Sequence, residues 1–242
     1  PMNCVAWVKD GEVELWVPTQ NPSGAKQAAY EALHDGSPPI WQRLKTKLQN
    51  GHVDSVKVNV TDIGGAFGRR LSSDFVTQAV KIAKHVDGPV KLIWSRKEDV
   101  RHDRFHPAAV HRLEASLTDD GRVEAWSHRF AGARARPAGA ADLPYSIPNI
   151  FVESIEDDPG VPVGAWRAVS HVYNSFVTES FIDDLAATAG KDPVEYRRSL
   201  LSGSPRLVNV LDRAVRRAGW GNPLSAGHFQ GVALHEGFGS YI

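Results

Sequence analysis

A glycine-rich stretch followed by two arginines has the residue types best suited to bind an anion. Gly64, Gly65 and Gly68 lack Cβ atoms, so the backbone N–H groups beside them can approach a ligand closely. Arg69 and Arg70 follow at once and add two positive charges with planar donor groups. An alternating strand precedes the stretch, and an amphipathic helix follows it, whose N-terminus would add free N–H donors. The sequence therefore predicts a site for an oxyanion, a phosphate or a metal-oxo group.

The spacing of these glycines does not fit two common nucleotide-binding loops. No Lys-Ser/Thr pair follows them, as a Walker loop requires. Asp62 stands two positions before Gly64, where the Gly-x-Gly-x-x-Gly pattern needs a glycine. A tight turn whose glycines only permit close packing remains the alternative to an anion site.

Gln20 and Arg167 are candidate ligand-facing side chains in two other loops. Gln20 follows a predicted strand directly, and Thr19 and Asn21 beside it are the better helix caps, which leaves Gln20 free for a ligand. Arg167 lies in a loop rich in glycine and proline, where a guanidinium could hold an oxygen of a substrate or cofactor. A surface salt bridge is an equally good interpretation of Arg167.

Three histidines raise the possibility of a metal site. Pro107 interrupts any helical spacing among His102, His106 and His111, and no nearby carboxylate pattern matches a zinc site. The sequence therefore favours packing roles for these histidines, and it predicts no metal ligand among the protein side chains.

Composition limits the classes of function. The chain has 242 residues and a formal net charge of zero, which argues against a general nucleic-acid binder. No apolar run is long enough to span a membrane. Cys4 is the only cysteine, so the chain can form no internal disulfide and no cysteine-held zinc or iron–sulfur site. The redox compartment therefore stays undetermined. Strand-like segments at both ends suggest a piece of a longer polypeptide.

Strands and helices are mixed along the chain, with hairpins, which predicts an α+β fold with mixed sheets and packed helices. Strands are expected over 3–8, 13–17, 56–60, 90–94, 110–117, 122–131, 151–156 and 231–242. Helices are expected over 22–33, 41–48, 73–86, 174–189, 193–201 and 207–218. The segment 56–94 is typical of a βαβ-like unit. Two lobes are expected, 1–108 with the glycine-rich loop and 109–242 with a hairpin followed by helices.

Local signals support these elements. Hairpin turns are expected at 9–11 and 118–121, and a break at 37–39. Asp192 is expected to cap the helix that follows it, and Gly219 to end the last helix. The helix over 73–86 is expected to have one apolar side: Phe75, Val76, Ala79, Ile82, Ala83 and Val86. The core candidates of the helix over 174–189 are Phe176, Phe181, Leu185 and Ala189.

Taken together, the motifs resemble the molybdopterin-binding large subunit of the xanthine oxidase family, in the branch that includes the isoquinoline 1-oxidoreductase β subunit. The resemblance rests on Trp-Val-Pro-Thr-Gln at 16–20, Gly-Gly-Ala-Phe-Gly-Arg-Arg at 64–70, Trp-Ser-Arg-Lys-Glu-Asp at 94–99, Gly-Ala-Trp-Arg-Ala-Val at 164–169, Glu-Ser-Phe-Ile-Asp-Asp-Leu-Ala at 179–186, 189–197 and 231–236. It covers almost the whole chain but only part of a family subunit.

The resemblance implies hydroxylation of an N-heterocycle or oxidation of an aldehyde, with water as the oxygen source. It implies molybdenum held by molybdopterin, and the sequence does not decide whether that molybdopterin carries a cytosine dinucleotide. It also implies a small partner subunit that carries [2Fe-2S] clusters. By resemblance, Gln20 and Arg167 are the catalytic candidates, and Arg167 faces the substrate. The cofactor-binding candidates are Gln20, Gly64, Gly65, Ala66, Phe67, Gly68, Arg69 and Arg70.

One family segment has no counterpart in this chain. The family's catalytic base is a glutamate in a Gly-x-Gly-Glu segment, and Glu236 does not match that pattern. We therefore expect no turnover from this chain alone. Two rival hypotheses stay open: a non-catalytic binding or assembly module that retains the fold, and a phosphate- or nucleotide-binding enzyme that uses the glycine-rich loop.

Overall fold

In a computed structural model, which describes residues 1–34, 55–158 and 160–242, the chain divides into two units. Unit 1 comprises Pro1–His106 with Pro162–Arg167, and unit 2 comprises Pro107–Val161 with Ala168–Ile242. The α+β class is confirmed. The assignment of 1–108 and 109–242 as lobes around a cofactor stays a prediction. The expected break at 37–39 and the expected helix at 41–48 lie outside the described residues. No described helix has the length and apolar content needed to cross a bilayer.

Unit 1 is built on a mixed sheet with the strand order β3-β2-β1-β4. Its strands are β1 (Asn3–Lys9), β2 (Glu12–Val17), β3 (Val56–Val60) and β4 (Val90–Ile93). Asp10 and Gly11 both have positive φ, 51° and 82°, as a tight hairpin turn requires, and this confirms the predicted first hairpin. Alternate residues of β1 and β2 face the core, with Cys4 and Ala6 buried in β1 and Val13, Leu15 and Val17 buried in β2. This face packs on the helices α1 (Pro22–Leu33) and α2 (Asp74–Ala83).

The prediction of a βαβ-like unit over 56–94 is wrong, because its two strands are not adjacent in the sheet. β3 and β4 are parallel, but β2 and β1 lie between them in the sheet. The adjacent parallel pair is β2 and β3. The helical face expected for α2 also needs correction, because Ile82 and Val86 are about half exposed, whereas Val80 is fully buried. Val86 lies beyond the end of the helix, which stops at Ala83.

Unit 2 contains the strands β5 (Ala109–Leu117), β6 (Val123–Gly132) and β7 (Asn149–Glu156), in that order in the sheet. β5 and β6 form the second predicted hairpin, and β7 adds parallel to β6. The helices are α3 (Arg96–His102) in unit 1, followed in unit 2 by α4 (His171–Thr188), α5 (Pro193–Leu200) and α6 (Pro205–Ala218). Asp192 caps α5 by accepting the N–H groups of Val194 and Glu195, as expected.

Two expectations for unit 2 are wrong. Phe176 was expected in the core, but its side chain is 72% exposed, because α4 buries a polar face instead. That face includes Glu179, which accepts hydrogen bonds from Tyr145, Arg197 and the backbone of Leu234. The segment 231–242 was expected to be one strand, but it contains only two short strands, β8 (Glu236–Gly237) and β9 (Ser240–Tyr241).

Candidate functional site

The glycine-rich loop follows β3 and uses backbone conformations that favour glycine. Gly65 has φ 154° and Gly68 has φ 95°. A Cβ on Gly65 would lie 2.8 Å from the ring of Phe67, so the missing side chain makes room for that ring. The helix does not follow at once, as the sequence suggested: Arg69–Leu71 forms a 3₁₀ turn, and α2 begins only at Asp74. The loop therefore presents its own N–H groups rather than those of a helix terminus.

Gln20 is bound directly to this loop. The N–H of Gly68 donates to Oε1 of Gln20 over 3.1 Å, and the N–H of Gln20 donates to the carbonyl of Arg70 over 3.1 Å. Asn21 caps α1 through the N–H of Gly24, so Gln20 takes no part in capping, as expected. Because Oε1 already accepts a hydrogen bond, the exposed amide of Gln20 keeps its NH₂ donors for a ligand.

Thr19 is a further contributor, which the sequence indicated only as a cap. Its hydroxyl donates to the carbonyl of Arg70 over 3.1 Å and accepts the N–H of Asn21 over 3.0 Å. Its side chain is buried, with 3% exposed. Thr19 therefore fixes the end of β2 to the glycine-rich loop. A polar residue between a strand and a cap was the only sequence signal for this role.

The segment 162–167 packs against the other side of the loop. A Cβ on Gly68 would lie 2.5 Å from the carbonyl oxygen of Ala165, so only glycine allows this approach. Two backbone hydrogen bonds attach the segment to Phe105, one from Phe105 to Pro162 and one from Gly164 to Phe105, over 2.9 and 3.1 Å. The structure therefore brings three distant motifs together in unit 1: Gln20, the loop 64–68 and the segment that ends at Arg167.

Arg167 is exposed and stands at the point where the chain leaves unit 1. Its guanidinium has no hydrogen-bond or ion-pair partner among the described residues. The next two residues, Ala168 and Val169, have φ 68° and 51°, which is a strained conformation for a side-chain-bearing residue and most of all for a β-branched one. This strain directly follows the candidate catalytic arginine.

Arg69 and Arg70 have different surroundings. Arg69 donates to both oxygens of Asp74, over 2.9 and 2.8 Å, and its Nε lies 2.6 Å from Asp103. Burial lowers the pKa of Arg69, but the two carboxylates outweigh burial and hold that pKa above its usual value. Arg70 is 6% exposed, and its two terminal nitrogens donate to the carbonyls of Pro18 and Pro1, each over 3.0 Å.

Arg70 is therefore a buried cation with no direct carboxylate partner among the described residues. Its Nε is buried without any hydrogen-bond partner. Burial lowers the pKa of Arg70, and the charge of Arg69 lowers it further, while Asp99 acts in the opposite direction. A buried cation in such surroundings is stabilised by an anion that comes near it.

A cavity of about 580 Å³ opens in unit 1 beside the loop. Its lining includes Gly64, Gly65, Ala66 and Phe67, and on the other side Ala165 and Trp166. Four arginines and two aspartates line it: Arg69, Arg70, Arg96, Arg104, Asp99 and Asp103. The excess of arginine and the open loop backbone fit an anionic ligand. Gln20, Gly68 and Arg167 are not among the lining residues of this cavity.

The three candidate histidines take part in packing contacts. His102 lies 3.1 Å from Glu98, and the ring of His106 lies edge-on to Trp166 at 5.4 Å. His111 belongs to unit 2, where its Nδ1 lies 2.9 Å from Nε2 of His128. Among the described residues, no group of three or more metal-binding side chains is assembled.

An α+β fold with a glycine loop, a glutamine anchored to that loop and a cavity lined by four arginines is compatible with a domain that binds an anionic ligand. The chain belongs to the molybdopterin cofactor-binding domain family, whose model matches residues 1–201. The cavity fits this cofactor class in charge, because four arginines against two aspartates line it and Arg70 has no direct carboxylate partner among the described residues. The fit also extends to the open backbone at Gly64, where an added Cβ would meet no atom within 4 Å.

The chain is similar to parts of several bacterial enzymes. It is 27% identical over 229 residues to the beta subunit of isoquinoline 1-oxidoreductase from Brevundimonas diminuta, a match that covers 87% of this chain and 27% of that protein. It is 26% identical over 231 residues to a nicotinate dehydrogenase subunit from Pseudomonas putida, a match that covers 87% of this chain and 18% of that protein. The chain thus spans less than a third of the length of these relatives.

A solved structure supports the fold. Quinoline 2-oxidoreductase from Pseudomonas putida 86 superposes with a TM-score of 0.71 at 18% identity. The superposition covers 90% of this chain and 30% of that one. At this level of identity, the likeness concerns the fold.

Proposed function

We propose that this chain forms part of the cofactor site of a molybdenum hydroxylase large subunit that oxidises N-heterocycles or aldehydes. The observation that supports this most is the contact between Gln20 and Gly68, because it joins two motifs that lie 48 residues apart. The names of the relatives, which include an isoquinoline oxidoreductase, a nicotinate dehydrogenase and an aldehyde dehydrogenase, support the substrate classes. When bound, the cofactor would supply a two-electron oxidation of a substrate carbon with water as the oxygen source.

The chain's own residues would orient and hold the ligands. The NH₂ group of Gln20 would donate a hydrogen bond to the bound cofactor, and the bond from Gly68 to Oε1 fixes the amide in one orientation. The open backbone at Gly64 would let the cofactor approach without a steric clash. Arg70, which lines the cavity, would support negative charge on the cofactor, and Arg69 braces the loop through Asp74 and Asp103.

Arg167 would act on the substrate. An exposed, unpaired guanidinium stabilises negative charge that develops on a reacting oxygen or nitrogen. The strained backbone at Ala168 and Val169 would limit where that guanidinium can lie. The general base would come from the remainder of the longer subunit, and electrons would leave through a small iron–sulfur subunit, since Cys4 is buried and single. We therefore expect no turnover from this chain alone.

The test is cofactor loading of the full-length protein. It is purified from a host that makes molybdopterin and from one that does not, and the molybdenum and pterin per chain are measured by elemental analysis and native mass. We expect loading only from the first host. The released pterin's mass distinguishes a cytosine dinucleotide from the simpler form. No molybdenum or pterin from either host would refute the proposal and favour a non-catalytic module.

A matched pair of variants tests the site itself. Gln20→Leu removes the exposed amide that is bound to the glycine-rich loop, and it is expected to speed molybdenum loss on dialysis by roughly 3- to 10-fold, the effect of one hydrogen bond. Gln27→Leu changes an exposed glutamine on α1 that bonds only Glu31, and it should retain molybdenum like the wild type. Equal retention by both variants would remove Gln20 from the site.

A further inference from the structure

We propose that Arg104 and the backbone of the loop 64–66 form an oxyanion subsite in the cavity of unit 1, which takes a phosphate or carboxylate group. This inference deepens the proposed function, since it concerns the same cavity, but it assigns a residue that the sequence motifs did not single out. Arg104 lies between α3 and the anchor residue Phe105, and it lines the same cavity as the glycine-rich loop.

The stem of Arg104 is held in place by the segment 162–167. A Cβ on Gly164 would lie 2.5 Å from the Cβ of Arg104 and 2.8 Å from its Cγ. Gly164 thus leaves room for the arginine stem to lie directly over its backbone. The neighbouring Phe105 is fixed by two backbone hydrogen bonds to the same segment. An exposed arginine with a fixed stem loses less conformational entropy when it binds a ligand.

The guanidinium of Arg104 has no carboxylate partner among the described residues. Asp103 next to it is engaged by Nε of Arg69 over 2.6 Å. Asp99 is engaged by Arg96 over 3.2 Å and by the N–H of Met2 over 3.0 Å. Both lining carboxylates are therefore already occupied, and the positive charge of Arg104 is left for a ligand.

Arg70, which also lines the cavity, strengthens the same conclusion. Among the described residues, this buried cation donates hydrogen bonds only to carbonyl oxygens, so an anion in the cavity would lower the free energy of burying its charge. Arg104 supplies the direct donors that the buried Arg70 cannot offer, because its free Nε is shielded from solvent. An oxyanion held by Arg104 and the loop N–H groups satisfies both arginines.

Two sources could supply this anion: the phosphate of the cofactor, or a carboxylate carried by the heterocyclic substrate. Both are planar or tetrahedral oxyanions that a guanidinium binds through two parallel hydrogen bonds. A neutral substrate end or an ammonium group would instead be disfavoured by the excess of arginine around the cavity.

The first experiment measures binding of inorganic phosphate to full-length apo protein from a host that makes no molybdopterin. We expect saturable binding, which Arg104→Gln weakens by about tenfold, the effect of a charged hydrogen bond. Arg101→Gln is the matched control, since Arg101 is exposed on α3 and does not line the cavity. Equal binding by Arg104→Gln and wild type, or no saturable binding at all, would overturn the proposal.

The second experiment identifies the source. If the phosphate belongs to the cofactor, Arg104→Gln from a proficient host contains less molybdenum than Arg101→Gln. If the anion belongs to the substrate, molybdenum content is unchanged, and KM rises about tenfold for a pyridine carboxylate but stays constant for the parent pyridine. Phosphate binding by the apo protein does not depend on molybdopterin, so this subsite and the proposed function can fail separately.

Discussion

Gly68→Ala is the substitution that tests most directly how the candidate site is assembled. Gly68 joins the three motifs of unit 1: its N–H binds Gln20, its conformation shapes the loop, and its missing Cβ admits the segment at Ala165. If this close approach positions the site, one added methyl group should disturb stability and cofactor binding together.

The expected loss in the free energy of unfolding of Gly68→Ala has two contributions. A residue with a side chain at φ 95° pays about 1–2 kcal/mol for the left-handed conformation. The new Cβ would lie 2.5 and 2.7 Å from backbone atoms of Ala165, which cannot rotate away, and overpacking of this kind costs about 1–3 kcal/mol. We expect a loss of roughly 2–5 kcal/mol in the free energy of unfolding.

The assay is urea denaturation of the full-length protein, with molybdenum content measured on the same preparations. Gly203→Ala is the matched control, because Gly203 lies outside the glycine-rich loop and the cavity, has no left-handed φ, and its added Cβ would contact nothing within 4 Å. That control should change the free energy by no more than about 0.5 kcal/mol. Equal stability and equal molybdenum content in both variants would refute the reasoning.

Two further predictions concern buried charge and backbone strain. Burial, followed by the charge of His111, lowers the pKa of His128 from 6.5 to about 4. The unfolded chain then binds the proton more tightly, so stability is complete above pH 6.5 and is lost by up to about 3 kcal/mol as pH falls towards 4. His128→Gln should flatten most of this dependence in thermal unfolding at several pH values, whereas the exposed His85→Gln should keep it. Val169→Gly relieves a φ of 51° and should leave the unfolding free energy unchanged or raise it by up to about 1 kcal/mol, measured in urea. The same change at Val110, which is 79% exposed with no positive φ, should lower it by about 1 kcal/mol, and equal losses at both positions would contradict strain at Val169.

Local chemistry made much of the fold predictable. Glycine turns at 10–11 and 120–121, each between alternating strands, predicted two hairpins that the structure confirms. The caps at Asn21 and Asp192 and the glycine stop at Gly219 were equally local signals. Such features are decided within a few residues, so the sequence contains the information needed to predict them.

The errors arose where tertiary contacts outweigh local pattern. Phe176 has the right spacing for the core, but α4 buries Asn174, Thr178 and Glu179 instead, and the partners of Asn174 and Glu179 lie far away in sequence. A polar face becomes buried when hydrogen bonds satisfy it, and hydrophobic periodicity does not register such bonds. The βαβ-like unit of unit 1 was wrong for a related reason. Tertiary contacts decide which strands are neighbours in the sheet, and the order of strands and helices along the chain does not show this.

The arginines of the candidate site show the same limit of prediction from sequence, because their charged neighbours are decided by tertiary contacts. Arg69 and Arg70 are adjacent and identical in type, and both were predicted to face the cofactor. In the structure, Asp74 and Asp103 neutralise Arg69, whereas Arg70 is buried against carbonyls. The charge available for an anion therefore comes from Arg70 and Arg104, two residues that the sequence could not pair, because a segment near residue 164 determines where Arg104 lies. If that division of charge is right, neutralising Arg69 should cost stability, and neutralising Arg104 should cost only affinity for the anion.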